Sequence, residues 1–466
     1  MASSAIAVRS PKSSWDSPSY ISSPAPTAVT SAPVIPPFVD DSTWQERAVC
    51  FFFDQFTETG RPDGFSGHME YLPGLYARCQ DDEGSIFAER CSAASCLRWA
   101  VNATSLIALG NRKGSKELCL QAKNQYGLVL RGLRQALTSQ VEAMKDETFA
   151  TVVLLLLFEE IAGERIGLSS SHTAGLEALM ELRGRSQFGR EEGRALFQLA
   201  YTHKHVAILV LGDKPRFNME WALGLLDDSD PVHRLLSTAF KVSRIVLQIS
   251  SLEPAEGDGS IFTSTIAAEI SEWVESCKLL DWQLDQWTQH LPDDWLPSIV
   301  YSQDGSPLIT NRYVWMTGIW DYYRSFRVLL QRLLIALYRK LACLDPRHAY
   351  GCALACLNFQ KVTQDMIGDI CRSIPFLMGD VDMLGRPITG LSFCYSSNGK
   401  PGVRTLHAHS ILWPLWHIFS SGLATPKQAQ QIRSVLVRMG STLGIKLALA
   451  LADEWNGYQG SVLLRI

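Results

Sequence analysis

The stretch Asp146–Gly184, DETFATVVLLLLFEEIAGERIGLSSSHTAGLEALMELRG, decides how the chain folds. Its first half carries Phe149, Val152, Val153, Leu154, Leu155, Leu156, Leu157, Phe158 and Ile161, apolar on almost every side. A helix that is apolar all round is either buried in a large helical protein or crosses a membrane. Glu159 and Glu160 interrupt this run well short of the roughly 18 apolar residues that a crossing needs. It therefore reads as a central core helix, with Asp146 expected as N-cap and Glu147 favourable beside the positive helix end. A second helix is predicted to begin near Ser170–His172, to bury Leu176, Leu179 and Met180 at i, i+3 and i+4, and to stop at Gly184.

The rest of the 466-residue chain has material for a large core, being 46% hydrophobic and 19% charged. Its length fits two or three domains, or one extended helical domain of about 400 residues. A net charge of −4 gives no global attraction to nucleic acid or acidic lipid, so DNA binding would need a local basic module, and none is visible. The eleven cysteines are scattered, odd in number and not needed as staples in so long a chain. MASSAIAVRSPKSSW, residues 1–15, has too short an apolar run for a secretory leader. The expectation is a soluble intracellular protein with reduced thiols, in which the sequon Asn102-Ala-Thr104 goes unglycosylated.

Residues 1–39 are rich in Ser, Pro, Ala and Thr, too poor in packing side chains to offset their ordering entropy. They are expected to form a disordered arm whose Ser10, Ser17 and Ser23, each before proline, occur there by composition alone. The ordered region is expected over residues 40–460, with 251–260 (SLEPAEGDGS) as a surface loop between halves. Helix caps are available at Asp40, Asp41, Ser42 and Thr43, and helices are predicted near 89–109, 115–138, 190–211, 262–290, 311–343 and 348–373. Residues 374–402 read as loop, and three short helices close the chain near 406–421, 426–440 and 441–456. No alternating strand pattern stands out. The fold class is all-α, a large domain of packed antiparallel helices.

The residues that could carry chemistry mostly have simpler explanations. His348, Cys352 and Cys356 have the spacing of ligands on one helix face, but the cysteines share a stripe with Phe359, Met366 and Ile370, which points to core packing. Asp227, Asp228 and Asp230 resemble the acidic magnesium motif of helical terpene synthases, the alternative enzyme reading. No second polar motif accompanies them, and Pro231 makes Asp230 a helix cap. Gly110-Asn-Arg-Lys-Gly114-Ser-Lys116 lacks the Walker spacing and reads as a turn. His203 and His205, and His407 and His409, point to different sides of a helix, and His172 sits at a helix start. The tryptophans of 273–320, with Trp413 and Trp416, fill a core or else line a cavity for an apolar ligand. Arg183, Arg185, Arg190 and Arg194 read as a solvated basic face. No catalytic, cofactor-binding or metal-binding residue is assigned.

Three consecutive segments, QYGLVLRGLRQAL (125–137), DETFATVVLLLLFE (146–159) and SHTAGLEALMELRG (171–184), resemble the fungal-specific transcription factor domain. This is the regulatory region that follows the zinc binuclear cluster in many fungal regulators. The shared pattern is a tyrosine-bearing helix, an apolar helix ending in acids, and a His-x-x-Gly helix closing in Arg-Gly, here His172, Gly175, Arg183 and Gly184. ILWPLWHIFSSG (411–422), a Gln/Arg-rich helix (428–438) and GIKLALALADEW (444–455) extend the likeness. The resemblance implies a nuclear, non-enzymatic regulator of transcription, serving a metabolic or secondary-metabolite pathway. Its implied partners are the transcriptional machinery or other regulators, with a small-molecule effector and a homodimer as further candidates. Members usually carry six N-terminal cysteines holding two zinc ions beside a basic turn, whereas residues 1–49 here contain no cysteine. Zinc is therefore expected only where such a cluster precedes this chain, and its own DNA affinity is expected to be weak for want of counterion release.

Overall fold

The computed structural model describes residues 43–57, 69–81, 92–164, 172–206, 220–225, 228–250, 261–344, 347, 349–388 and 404–453. The expected N-terminal arm and the 251–260 loop lie outside the described residues. The first helices are α1 (Trp44–Phe56), α2 (Leu72–Asp81), α3 (Ala93–Lys113), α4 (Lys116–Ala136) and the single turn α5 (Gln140–Ala143). The apolar run forms α6 (Asp146–Ala162), followed by α7 (Thr173–Arg183), α8 (Glu191–Val206) and α9 (Pro231–Ser250). Two long helices follow, α10 (Ile261–Gln289) and α11 (Val314–Leu344), then α12 (Ala349–Leu377), α13 (Thr405–Ser410), α14 (Leu412–Ser421), α15 (Pro426–Thr442) and α16 (Lys446–Asp453).

Helix α6 sits where the run of leucines predicts. Every residue from Thr148 to Ile161 is buried, because α3, α4, α5, α7, α8 and α16 all pack against it. Its cap differs from expectation. Lys145, extended at φ −69° and ψ 150°, occupies the N-cap with no side-chain bond, and Asp146 is the first helical residue. The Asp146 carboxylate is thereby free to reach across to α7. At the other end Gly163 closes the helix at φ +71°, its amide donating to Glu159 O at 3.0 Å. A Cβ there would also come within 2.7 Å of the Lys446 Cβ, so both backbone sign and space favour glycine where α16 crosses.

The capping reading holds at Thr43, which forms a capping box with Glu46 that opens α1. Helix α3 runs past Gly110, where its end was expected, to a left-handed Gly114. Gly110 has a packing role: a Cβ there would meet Cys119 Sγ of α4 at 2.9 Å. Asn111 beside it donates from Nδ2 to Ile161 O at 2.7 Å and to Gly444 O at 2.9 Å. One amide group thus clasps α3, the end of α6 and the link between α15 and α16.

In the second half α10, α11 and α12 lie side by side. Arg327 fastens α11 to α10 with a fork onto Asp281 at 2.9 and 3.0 Å. Asp321 of α11 is buried with Arg324 at 2.7 Å and accepts from Ser373 Oγ of α12 at 2.9 Å. One element was not foreseen, a hairpin of β1 (Ser298–Tyr301) and β2 (Pro307–Thr310) paired antiparallel, Ser298 opposite Thr310. Four-residue strands are too short to show a periodicity, and the hairpin leans on α12. Helix α12 also continues to Leu377, past the expected start of loop at residue 374, with Pro375 inside it. Among the described residues no helix is long and apolar enough to cross a membrane.

Leu155 is 1% exposed in α6 and Leu120 is 61% exposed on α4. Leu155→Ala is expected to lower unfolding free energy by about 2–5 kcal/mol through loss of transfer energy and a residual cavity, measured by urea denaturation. Leu120→Ala, in the same assay, is expected to change it by no more than about 0.5 kcal/mol.

Candidate functional site

Because α6 is enclosed, its polar ends must find partners inside the protein. At its start, Asp146 forms a buried ion pair with Arg183 and a second with Arg190 at 2.9 Å. Arg183 also lies over the Phe149 ring, 4.7 Å from its centroid. Burial pulls the Arg183 guanidinium below its ordinary range, and Asp146 pulls it back. The expected basic face is therefore divided: Arg190 and Arg194 stay near solvent, whereas Arg183 is 3% exposed and belongs to the interior.

At the end of α6 the three segments of the family resemblance converge. Tyr126 of α4 stacks on Phe158 of α6 with ring centroids 4.4 Å apart. Its hydroxyl lies 2.9 Å from His172 Nε2, and that nitrogen lies 3.4 Å from Glu159 Oε1. Burial, aided by Glu159 and Glu164, pushes the Tyr126 hydroxyl up to about 12, so it keeps its proton. His172 stands at the N-cap of α7 without capping it; its ring bridges α4 and α6 instead. Gly175 has open space where a Cβ would stand, and nothing in the structure explains it. One residue further along α6, the wholly buried Glu160 pairs with His409 of α13.

Two other histidines are sealed in. His205 packs edge-on against Tyr201 and Phe240, 4.3 and 5.5 Å between centroids. Ser243 Oγ donates its proton to Phe240 O at 2.8 Å, so at 3.1 Å it accepts from His205 Nδ1. His205 Nε2 and His417 Nε2 are buried with no hydrogen-bond partner. Burial first, then Lys204 beside His205 and Arg332 beside His417, lowers both imidazoles to about 3. These are neutral structural side chains, not bases presented to a substrate.

The metal and enzyme readings find no support among the described residues. Cys352 and Cys356 are buried on the inner side of α12, burial pushes the Cys356 thiol up, and His348 lies outside the described residues. Asp227 also lies outside them. Asp230 caps α9, accepting from Val232 N at 2.7 Å, and Asp228 is exposed. No group of three His, Cys, Asp or Glu converges as a metal site among the described residues. The sequon is interior: Thr104 donates to Ala100 O, and the Asn102 amide oxygen accepts from Tyr76 at 3.2 Å.

A groove between α9 and α10 is an open concave feature with convergent polar groups. Its volume is about 240 Å³ and its walls include Arg234, Ser237, Thr238 and Lys241 from α9 and Trp282, Gln283, Gln286 and Trp287 from α10, with His290 just past the end of α10. The α9 residues fall at i, i+3, i+4 and i+7, and Gln283, Gln286 and Trp287 of α10 at i, i+3 and i+4, so each set lies on one helix face, with Trp282 beside the second. Trp287 forms the floor, its Nε1 donating to Pro231 O at 2.7 Å and its ring stacked on Tyr323. The tryptophan clustering was the available signal for this groove. What it could not show is polarity, since two tryptophans line it while Trp295, Trp315 and Trp320 fill the core.

The description of the fungal specific transcription factor domain matches residues 80–378. That is well over half of the chain. The chain belongs to this family. An uncharacterized protein of Emericella nidulans is 30% identical over 164 residues, covering 35% of this chain and 31% of that protein. The chain thus aligns with about a third of the length of that curated relative. No solved structure matches it. Within the matched span lie α6 and its two polar ends except His409, together with the α9–α10 groove.

Two outcomes test this electrostatic frame. Arg183→Met is expected to cost about 3–5 kcal/mol in urea denaturation, since it strips the buried Asp146 of its enclosed partner and leaves only the solvent-facing Arg190, and adding Asp146→Leu is expected to restore most of that loss. The second concerns acid. Histidines unfold to ordinary values near 6.5, so stability present above that pH is lost as pH falls toward 3, at about 1 kcal/mol per pH unit for each histidine. Asp321 works the other way, because burial raises it from 3.8 to about 6 and its contribution is lost as pH rises through that value. The two histidines outweigh it. His205→Leu or His417→Leu is expected to flatten the fall of the urea midpoint between about pH 6 and pH 4.

Proposed function

We propose that this chain is a nuclear regulator of transcription that works by contact and not by catalysis. Membership of the fungal specific transcription factor domain family carries the reading. The interior agrees with it in kind: buried pairs such as Asp146–Arg183 and Glu177–Lys204 join helices to one another. Its partners are the transcriptional machinery or other regulators. Exposed apolar side chains support protein contact, since Tyr350, Leu354 and Leu357 form a stripe at i, i+4 and i+7 on α12, 84%, 60% and 63% exposed. A second copy of the chain is one candidate for that stripe. DNA is reached through a partner or another segment, as a net charge of −4 offers little counterion release. A small-molecule effector entering the α9–α10 groove would make the module responsive, and the pathway it serves is metabolic.

Fusing the full chain to a heterologous DNA-binding domain in a fungal cell, with that domain's operator before a reporter, tests the reading. Reporter output is expected to change several-fold in either direction relative to the DNA-binding domain alone. An unchanged reporter with the fusion present in the nucleus would overturn it.

A further inference from the structure

We propose that the groove between α9 and α10 binds a small aromatic carboxylate, its ring against Trp282 and its carboxylate on Arg234. The inference rests on the effector-responsive reading above and adds the chemistry of the ligand. The guanidinium of Arg234 is half committed. Its Nη2 donates to His290 O at 3.1 Å, while its Nε is buried with no hydrogen-bond partner. A buried donor left without an acceptor is unfavourable, and a carboxylate oxygen is the acceptor that fits a guanidinium best.

Charge then limits the ligand. Lys241 lies on the same face of α9, about 10 Å along the axis at 1.5 Å per residue. Asp228 is the one carboxylate among the described lining residues. Arg234 and Lys241 against Asp228 leave an excess of one positive charge, which suits a monoanion and disfavours a phosphate ester carrying two charges. Ser237 stands between the two cations and provides a hydroxyl for a second oxygen or a ring substituent, while Thr238 beside it donates its hydroxyl proton to Arg234 O at 3.1 Å.

The remainder of the ligand is set by size and by the tryptophans. At about 240 Å³ the groove lies below the roughly 300–1,000 Å³ typical of drug-sized ligands, so a body of one or two rings fits it. Trp287 is held rigidly by its bond to Pro231 and by Tyr323, a fixed apolar floor. Trp282 at the rim is 57% exposed, an uncommon state for so large an apolar surface and one that a stacked ring would relieve.

Calorimetric titration of the full chain with phenylacetate, 2-naphthoate and indole-3-acetate, and with the neutral indole-3-acetamide, tests the assignment. One-site saturation by at least one acid is expected, with the amide about tenfold weaker through loss of the charge-assisted bond. Arg234→Gln is expected to weaken the acid by about the same factor, and Trp282→Ala several-fold. Lys241→Gln and Trp282→Ala alter exposed side chains and keep the test sound should Arg234→Gln misfold, which circular dichroism would reveal. Absence of saturation by all three acids at millimolar concentration would overturn the proposal. So would equal binding of acid and amide, or binding unchanged by Trp282→Ala and Lys241→Gln. Tethered reporter activity without ligand binding would remove the carboxylate site while leaving the regulatory reading intact; the reverse result would do the opposite.

Discussion

A helix with no solvent face imposes one demand on everything around it: each polar group it carries must be met by another part of the chain. In α6 the leucines are indifferent to which hydrocarbon surrounds them, and several packings would bury them about equally well. The ends are not indifferent. Asp146 needs Arg183, Glu159 meets His172 and Glu160 meets His409, so three polar pairs fix which helix lies against which end. Removing one member strands the other in a low-dielectric interior, so these contacts contribute more to the uniqueness of the packing than to its net energy.

The family pattern acquires a physical meaning in these terms. A tyrosine, a terminal acid and a helix-start histidine are unremarkable in three amphipathic sequences, yet Tyr126, Glu159 and His172 meet at a single point. The motif is a record of one junction. The Arg-Gly ending is the other junction, with Gly184 ending α7 just after Arg183 has turned inward. In the same interior, buried titratable groups such as Asp146, Glu160 and Asp321 hold other side chains, and the groove between α9 and α10 lies apart from them.

How much of this could be read from residues alone varied with the kind of interaction. Hydrophobic periodicity is local and strong, so α4, α6, α7 and α11 stood out, and α6 was placed at the centre because it lacks a polar face. Pairing is non-local. Asp146 looked like a cap because a cap needs only neighbours, while its partner Arg183 is 37 positions away. Arg183 looked solvated for the same reason. Gly110 looked like a terminator, although its role is to admit α4, which no sequence window around it could express. The β1–β2 hairpin was invisible because its strands are shorter than one readable period. The groove announced its tryptophans but hid its charge, since Arg234 and Lys241 come from a separate helix whose registration against α10 is a tertiary fact.

The clasp made by Asn111 has an implication for how the protein is made. Its two acceptors, Ile161 O and Gly444 O, are separated by most of the chain, and the wall that α16 supplies to α6 arrives with the last described helix. During synthesis the leucine-rich core emerges early and waits for that wall while some 280 further residues are added by a ribosome working at about 5–20 residues per second. For that interval its unfinished flank is a natural target for holding chaperones. A stop codon arising shortly before residue 446 would remove that wall and leave bare the side of α6 that α16 covers.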